Sequence, residues 1–180
     1  LSRKDPAYVG RAKEIRAAEE VRITGACPMR KNEAIGAAFT TIKKFYPDLK
    51  ARATEIGSVI FAVKPGDGSA REQAASCQRV LGGLANIAYE YATKRYRSNL
   101  INWGMLPFLL PEEKLPFENG DCIFIPQIAT AIKEKKNEIK AYVVKNEELQ
   151  EFSMQLGDLT EEEREIILKG CLINYNNKTL

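Results

Sequence analysis

The spacing of hydrophobic and polar positions predicts helices and strands that alternate along the chain. Residues 32–44 place Ile35, Ala38, Phe39 and Ile42 on one face of a helix, which marks that face as core. The same helical period predicts further helices over residues 5–22, 72–81 and 93–103. Apolar runs of strand length, several of them β-branched, occupy residues 57–64, 84–89, 105–110, 121–125 and 140–144.

The order of these elements predicts a mixed α/β domain. Residues 57–64 and 84–89 form a parallel pair of strands, because the helix between them is long enough for a crossover connection. That helix is predicted to pack Ala75, Val80 and Leu81 against the sheet. Two further short helices are predicted over residues 127–132 and 147–154, with a charged turn over 133–138.

Two helix starts have sequence signals of their own. Asp5 is predicted to cap the first helix, with Pro6 in its first turn. Thr160 and Glu163 have the spacing of a capping box, which places the start of the last helix.

The segment between the first strand and the helix at 72–81 has the residues of an anion-binding turn. Gly66 and Gly68 allow positive φ and close approach to the backbone, and Ser69 stands where a helix N-cap would. The first N–H groups of a helix lack intrahelical partners and lie at the positive end of its dipole. Arg71 adds a planar cation that matches a carboxylate or phosphate. Without further support, an ordinary glycine turn before a capped helix, with Arg71 solvated, explains the same residues.

Composition excludes several classes of site and partner. The 180 residues fit one domain over residues 1–180, and a net charge of +3 gives no case for a nucleic acid partner. The chain has no His, so it cannot build a Ser-His-Asp triad, a Cys-His dyad or a zinc site that uses His. No apolar run is long enough to span a membrane.

The four cysteines are far apart in the sequence and form no iron–sulfur pattern within this chain. Wide spacing without a signal peptide predicts reduced thiols, and we expect a cytoplasmic location. The cysteines are Cys27, Cys77, Cys122 and Cys171.

Three segments resemble, in the same order, the C-terminal swivelling domain of the aconitase family, which is shared with the small subunit of isopropylmalate isomerases. Residues 66–75 (GDGSAREQAA) resemble the Gly-x-Gly-Ser-Ser-Arg-Glu-His-Ala-Ala signature of that family. Residues 96–108 resemble its Asn-Leu-Ile-Asn-Phe-Gly-Ile-Leu-Pro-Leu segment, and residues 159–175 resemble its C-terminal helix. Residues 1–13 are similar to a segment inside the domain, so we expect this chain to be a C-terminal part of a larger aconitase-like protein.

The resemblance implies a swivelling β/β/α three-layer fold and the substrate-closing domain of a hydro-lyase, a hydratase or isomerase, that acts on a hydroxy-polycarboxylate. Ser69 would be the base, Arg71 would clamp a substrate carboxylate, and Ala70 would occupy the position of a second substrate-binding Ser. Gly66 and Gly68 would form the anion loop. The resemblance implies no metal or cofactor in this chain. A 4Fe–4S cluster is expected in the N-terminal aconitase-like domains that would be its partners, because hydroxide leaves poorly without a metal.

Two departures from the family pattern bear on the substrate. Ala70 lacks a hydroxyl group, and Gln73 replaces a His that could titrate near neutral pH. A hydroxy-polycarboxylate other than citrate therefore fits better, and the isolated domain is expected to be inactive. Two alternatives stay open: a non-catalytic binding or regulatory module, for RNA for example, and a stand-alone anion-binding module that uses the same loop.

Overall fold

The computed structural model describes residues 5–28, 31–111 and 114–177. Within these residues helices and strands are mixed along the chain, and they alternate between residues 58 and 109. The elements are α1 (Tyr8–Ile23), α2 (Glu33–Phe45), β1 (Ser58–Ala62), α3 (Arg71–Val80), β2 (Gly83–Ala88), α4 (Lys94–Asn102), β3 (Leu106–Leu109), β4 (Cys122–Phe124), α5 (Ile128–Lys133), β5 (Glu138–Lys145), β6 (Glu148–Gln155), α6 (Glu161–Leu168) and α7 (Leu172–Asn176).

The six strands of the described chain form one mixed sheet in the order β1-β2-β3-β6-β5-β4. One half is parallel: β1 pairs with β2 and β2 with β3, and α3 and α4 are the crossovers. The other half is antiparallel, with β5 between β4 and β6. Strands β3 and β6 join the two halves through the pair Leu109 and Gln155. The predicted α/β class and the parallel β1-α3-β2 unit are confirmed.

Both halves of the sheet contribute side chains to one buried cluster. Ile87 and Phe108 come from the parallel half, and Val143, Phe152 and Met154 come from the antiparallel half. Burying apolar surface of this kind gives about 25 cal/mol per Å² of stabilisation, so the two halves are held together mainly by this core. The predicted apolar face of α2 is also confirmed, since its Ile35, Phe39 and Ile42 are buried.

The prediction of a helix over residues 147–154 is wrong, because these residues form strand β6. β6 pairs with β5 along its whole length and buries Phe152 and Met154 on alternate positions. Asn146 and Glu147 both have positive φ, as the two-residue turn of a tight hairpin requires. The glutamates of this segment favour a helix locally, but pairing with β5 overrides that preference.

Two helix starts differ from the prediction. Helix α1 begins at Tyr8 with Ala7 as its N-cap, and Asp5 does not cap it but pairs with Arg11. Helix α3 begins at Arg71, and its N-cap is Ala70, which makes no capping side-chain hydrogen bond.

Two further expectations are corrected at the ends of helices. Val80 lies in the last turn of α3 and is 59% exposed, so it does not pack on the sheet, whereas Ala75 of the same helix is fully buried. The predicted capping box of Thr160 and Glu163 is present, but it begins α6, and α7 follows after Gly170 with φ +85°.

Among the described residues, no helix combines the length and the apolar character that crossing a membrane would need.

Candidate functional site

The predicted anion loop lies where β1 ends and α3 begins. Residues 65–71 line a cavity of about 420 Å³, together with Ala74 of α3 and Tyr96 of α4. In sheets with parallel strands, ligands bind at the carboxyl ends of the strands, and this cavity has that position. The structure therefore brings Gly66, Gly68, Ser69, Ala70 and Arg71 together in one cavity lining.

The two glycines of the loop meet different requirements. Gly66 has φ +99°, and a Cβ added there would lie 2.5 Å from the Cβ of Tyr96, so no larger residue fits without a shift. Gly68 is absent from the positive-φ residues, and an added Cβ would have no atom within 4 Å. The positive φ that both glycines allow is therefore used at Gly66 and not at Gly68.

Ser69 is placed at the cavity but does not cap α3, contrary to prediction. The N-cap is Ala70, whose methyl group cannot accept a hydrogen bond. Ser69 is exposed, and its hydroxyl group makes no hydrogen bond to a residue in the described ranges. The hydroxyl is consequently open to whatever enters the cavity.

Arg71 is half-buried in the cavity lining, and its Nε is shielded from solvent without any acceptor among the described residues. No carboxylate in the described part of the chain forms an ion pair with its guanidinium group. Asp67, the one acidic residue of the lining, is exposed. Buried N–H donors are satisfied in most proteins, so this one points to an acceptor that comes from outside the chain.

Tyr96 forms the floor of the loop. It is only 3% exposed, and its hydroxyl accepts a hydrogen bond from Gln78 Nε2 (3.0 Å) and donates one to Asn86 Oδ1 (3.3 Å). Asn86 Nδ2 closes the triangle by donating to Gln78 Oε1 at 2.5 Å. Burial raises the pKa of Tyr96 above its usual value, so this phenol stays neutral at physiological pH. A satisfied network of this kind fixes the position of the ring beneath Gly66.

The first turn of α4 is fastened directly to the loop. Thr93 Oγ1 donates to the carbonyl oxygen of Gly66 at 3.0 Å. The same hydroxyl oxygen accepts the backbone N–H of Tyr96 at 3.2 Å and so caps α4. Next to it, the N–H of Ala92 donates to the carbonyl of Pro65 at 2.9 Å.

The last turn of α4 holds Glu72, in the first turn of α3. Trp103 Nε1 donates to Glu72 Oε1 at 2.6 Å. The hydrogen-bond network orients the Asn99 carboxamide so that its oxygen accepts the Glu72 N–H at 3.0 Å. Its nitrogen then donates to Glu72 Oε2 at 3.2 Å. Sequence reasoning assigned no role to these three residues. No local pattern could have found them, because Trp103 and Glu72 are 31 residues apart in the sequence.

No metal site is present among the described residues, since no three His, Cys, Asp or Glu side chains are grouped to hold an ion. The four cysteines are free thiols; Cys27 and Cys77 are exposed, and Cys122 and Cys171 are partly buried. These residues do not fit an iron–sulfur cluster within this chain.

Comparison with known proteins identifies relatives of the segment that contains the cavity. Residues 28–113 match the family described as the aconitase C-terminal domain. An aconitate hydratase A from Rickettsia bellii is 31% identical over an alignment of 130 positions, which covers 69% of this chain and 14% of that protein. The chain thus spans a small part of the curated relative that it matches.

A solved structure is also similar to this chain, a 3-isopropylmalate dehydratase from Methanocaldococcus jannaschii. It is 30% identical, with a TM-score of 0.45, and the match covers 69% of this chain and 66% of that chain.

The matched residues 28–113 include the loop at 65–71 and helix α4, which lies beneath it. Family match and cavity therefore fall on the same part of the chain, and residues 28–113 are similar to the aconitase C-terminal domain family.

Proposed function

We propose that this chain is the substrate-closing domain of an aconitase-like hydro-lyase that acts on a hydroxy-polycarboxylate. One observation carries the proposal. The cavity at the β1–α3 loop holds a guanidinium group whose Nε has no acceptor, beside a serine hydroxyl group that has no hydrogen-bond partner among the described residues. Removal of a proton next to a carboxylate needs a base and benefits from a cation that binds the carboxylate, and these two residues could supply both.

Arg71 is proposed to bind a substrate carboxylate. An unsatisfied buried donor costs about 1–3 kcal/mol, and a carboxylate oxygen would remove that cost. Bidentate pairing would also orient the substrate, because the planar guanidinium group matches the two carboxylate oxygens. The cavity lining has one negative side chain, the exposed Asp67, and one positive side chain, Arg71.

Ser69 is proposed as the base. A deprotonated Ser69 Oγ would take the proton from the carbon next to the substrate carboxylate and become the neutral hydroxyl. An alkoxide needs electrostatic stabilisation, and the positive end of α3 and Arg71 lie in the same turn to supply it.

The remaining parts of the active site are proposed to come from other domains. Departure of the substrate hydroxyl needs a Lewis acid, which we propose is a 4Fe–4S cluster held by N-terminal aconitase-like domains. The aconitate hydratase relative supports this arrangement, because the matched part is only 14% of its length. A cytoplasmic location remains a prediction.

Ala70 bears on the choice of substrate. It stands in the cavity lining, where the family resemblance would place a second serine, and it offers no hydrogen-bonding side chain. A lost hydrogen bond to a substrate carboxylate is worth about 1.5–3 kcal/mol. We therefore propose a hydroxy-polycarboxylate other than citrate.

The test uses the full-length protein purified without oxygen, assayed on a panel of hydroxy di- and tricarboxylates by the ultraviolet absorbance of the unsaturated product. Ser69→Ala should lower turnover by about 10²–10⁴-fold, the usual contribution of a general base, with unchanged thermal unfolding. Ser76→Ala is the matched control, because its hydroxyl donates to Gln73 within α3 at 3.1 Å and does not line the cavity. Full activity of Ser69→Ala would overturn the assignment.

Ala70 also favours a second candidate, a non-catalytic module that binds an anion in the same loop. This candidate predicts no turnover on any panel member. It also predicts that tricarboxylate or phosphate shifts the amide signals of residues 68–71 in nuclear magnetic resonance spectra.

A further inference from the structure

We infer that Glu72 is a positioning residue for the turn of Ser69, Ala70 and Arg71, and that Asn99 and Trp103 of α4 hold it there. This inference deepens the proposed function and rests on it, because it explains how the proposed base and the proposed clamp are kept in place. None of the three residues lines the cavity.

Helix α3 lacks the usual means of fixing its own first turn. An N-cap side chain normally accepts the N–H of the second or third helical residue. Ala70 stands at that position without a side-chain oxygen, and Ser69 does not replace it. The turn that carries the proposed catalytic groups thus has no local cap.

Asn99 supplies the missing bond from another helix. Its side-chain oxygen accepts the N–H of Glu72 at 3.0 Å, and Glu72 is the second residue of α3. This N–H is one of those that an N-cap side chain would take. The capping side chain therefore comes from α4, and Asn99 is not part of the cavity lining.

Trp103 fixes the side chain of the same residue. Its indole N–H donates to the Glu72 carboxylate at 2.6 Å, in the short range of charge-assisted hydrogen bonds. Asn99 Nδ2 donates to the other carboxylate oxygen at 3.2 Å. Glu72 is consequently held through its backbone and through both carboxylate oxygens.

The hold on Glu72 also affects the charge of the cavity. The lining contains one acidic side chain, Asp67, and one basic side chain, Arg71. A second carboxylate turned toward the cavity would make the lining net negative and oppose an anionic substrate. Bonding to Trp103 and Asn99 keeps the Glu72 carboxylate out of the cavity lining.

The test compares four variants of the full-length enzyme: Glu72→Ala, Trp103→Phe, the double variant, and Glu72→Gln. Glu72→Ala and Trp103→Phe should each lower kcat/KM by about 10- to 100-fold, because small displacements of reacting groups have effects of that size. The kcat/KM of the double variant should be within about twofold of that of the poorer single variant, because each single substitution already removes the same hydrogen bond. Glu72→Gln keeps an acceptor for Trp103 and should recover most of the activity.

A second readout does not depend on turnover. Trp103 is the single tryptophan of the 180 residues, so its indole N–H gives one signal in spectra of this chain. That signal should move in Glu72→Ala, together with the amide signals of residues 69–71. If the wild-type enzyme turns over no panel member, the proposed function fails by itself, and these amide signals still decide whether Glu72 positions the turn.

Arg97→Lys is the matched control, because Arg97 anchors another face of α4 to the carbonyls of Leu156 and Asp158, both at 3.0 Å. It should lower the thermal midpoint without moving the signals of residues 69–71. The inference is overturned if Glu72→Ala and Trp103→Phe behave like Arg97→Lys, that is, if they lower only the stability. It is also overturned if the effects of the two substitutions on kcat/KM are additive.

Discussion

Gly66 and Gly68 stand two residues apart in the loop, and the molecule needs them for different reasons. Gly66 has positive φ and lies against Tyr96, so the folded chain itself requires a glycine there. Gly68 has neither constraint, and the space next to its Cα is open. The fold therefore does not require a glycine at position 68, and under the proposed function the open space there is left for the ligand.

Alanine substitutions should separate these two roles. Gly66→Ala should lower the free energy of unfolding by about 1–3 kcal/mol, the usual cost of a strained φ, with the contact to Tyr96 adding to it. Gly68→Ala should change it by no more than about 0.5 kcal/mol, as is usual for surface positions. Under the proposed function, Gly68→Ala should still raise KM, because its methyl group enters the cavity.

Chemical denaturation and steady-state kinetics on both variants check this prediction. Equal destabilisation by the two substitutions would contradict the difference that the loop geometry predicts.

At the residue scale, the sequence predicted which residues line the cavity but not how each is held. One loop carries Gly66, Gly68, Ser69, Ala70 and Arg71, so their common place in the cavity lining follows from their order in the chain. The capping role of Ser69 is wrong, because α3 begins at Arg71 and its N-cap is therefore Ala70. Their catalytic and binding roles stay predictions.

At the scale of elements, the starts of α3 and α6 show two ways to stabilise a helix. Helix α6 has a local capping box, in which Thr160 Oγ1 accepts the Glu163 N–H at 3.1 Å and Glu163 Oε2 accepts the Thr160 N–H at 2.9 Å. Helix α3 has no local cap and depends on α4. The sequence predicted the capping box of α6, because its two residues are close together in the chain. It did not predict the contacts between α3 and α4.

Removal of the local cap should have a moderate effect on stability. Thr160→Ala should lower the free energy of unfolding by about 0.5–2 kcal/mol, because the Glu163 N–H loses its acceptor. Thr160→Ser keeps the hydroxyl group and should remain near the wild-type value. Thermal and urea denaturation would reveal the difference, and equal stability of all three proteins would show that the capping box contributes little.

At the scale of the whole molecule, the parallel half of the sheet is tied together by a buried phenol. The hydroxyl of Tyr91 faces the carbonyl oxygens of Asn86 on β2 (3.2 Å) and Phe108 on β3 (3.1 Å) and shares its proton between them. Burial raises the pKa of Tyr91 above the value of an exposed tyrosine. Ionisation would place a negative charge against two carbonyl oxygens.

This arrangement predicts a loss of stability in alkaline solution. The unfolded chain releases the phenolic proton near pH 10, while the folded chain keeps it, so the free energy of unfolding falls as pH rises above about 10. Below that pH the contribution of Tyr91 is fully present.

The slope of unfolding free energy against pH between 9 and 11 should be smaller in Tyr91→Phe, although that variant is less stable at pH 8 for lack of the hydrogen bonds. Urea denaturation over this pH range is the measurement. Identical slopes for the variant and the wild type would contradict the assignment to Tyr91.

Local patterns in the sequence by themselves determined the α/β class, most element positions and the strand–loop–helix unit that carries the candidate site. These features depend on residue spacing within one element or between adjacent elements, which a linear pattern records. Only the tertiary structure decided that residues 148–155 form a strand, that Gly66 must be a glycine, and that α4 holds the first turn of α3. Each of these depends on partners distant in the sequence. Thr93 lies 27 residues from Gly66 and Trp103 lies 31 from Glu72, and such contacts leave no periodic signal.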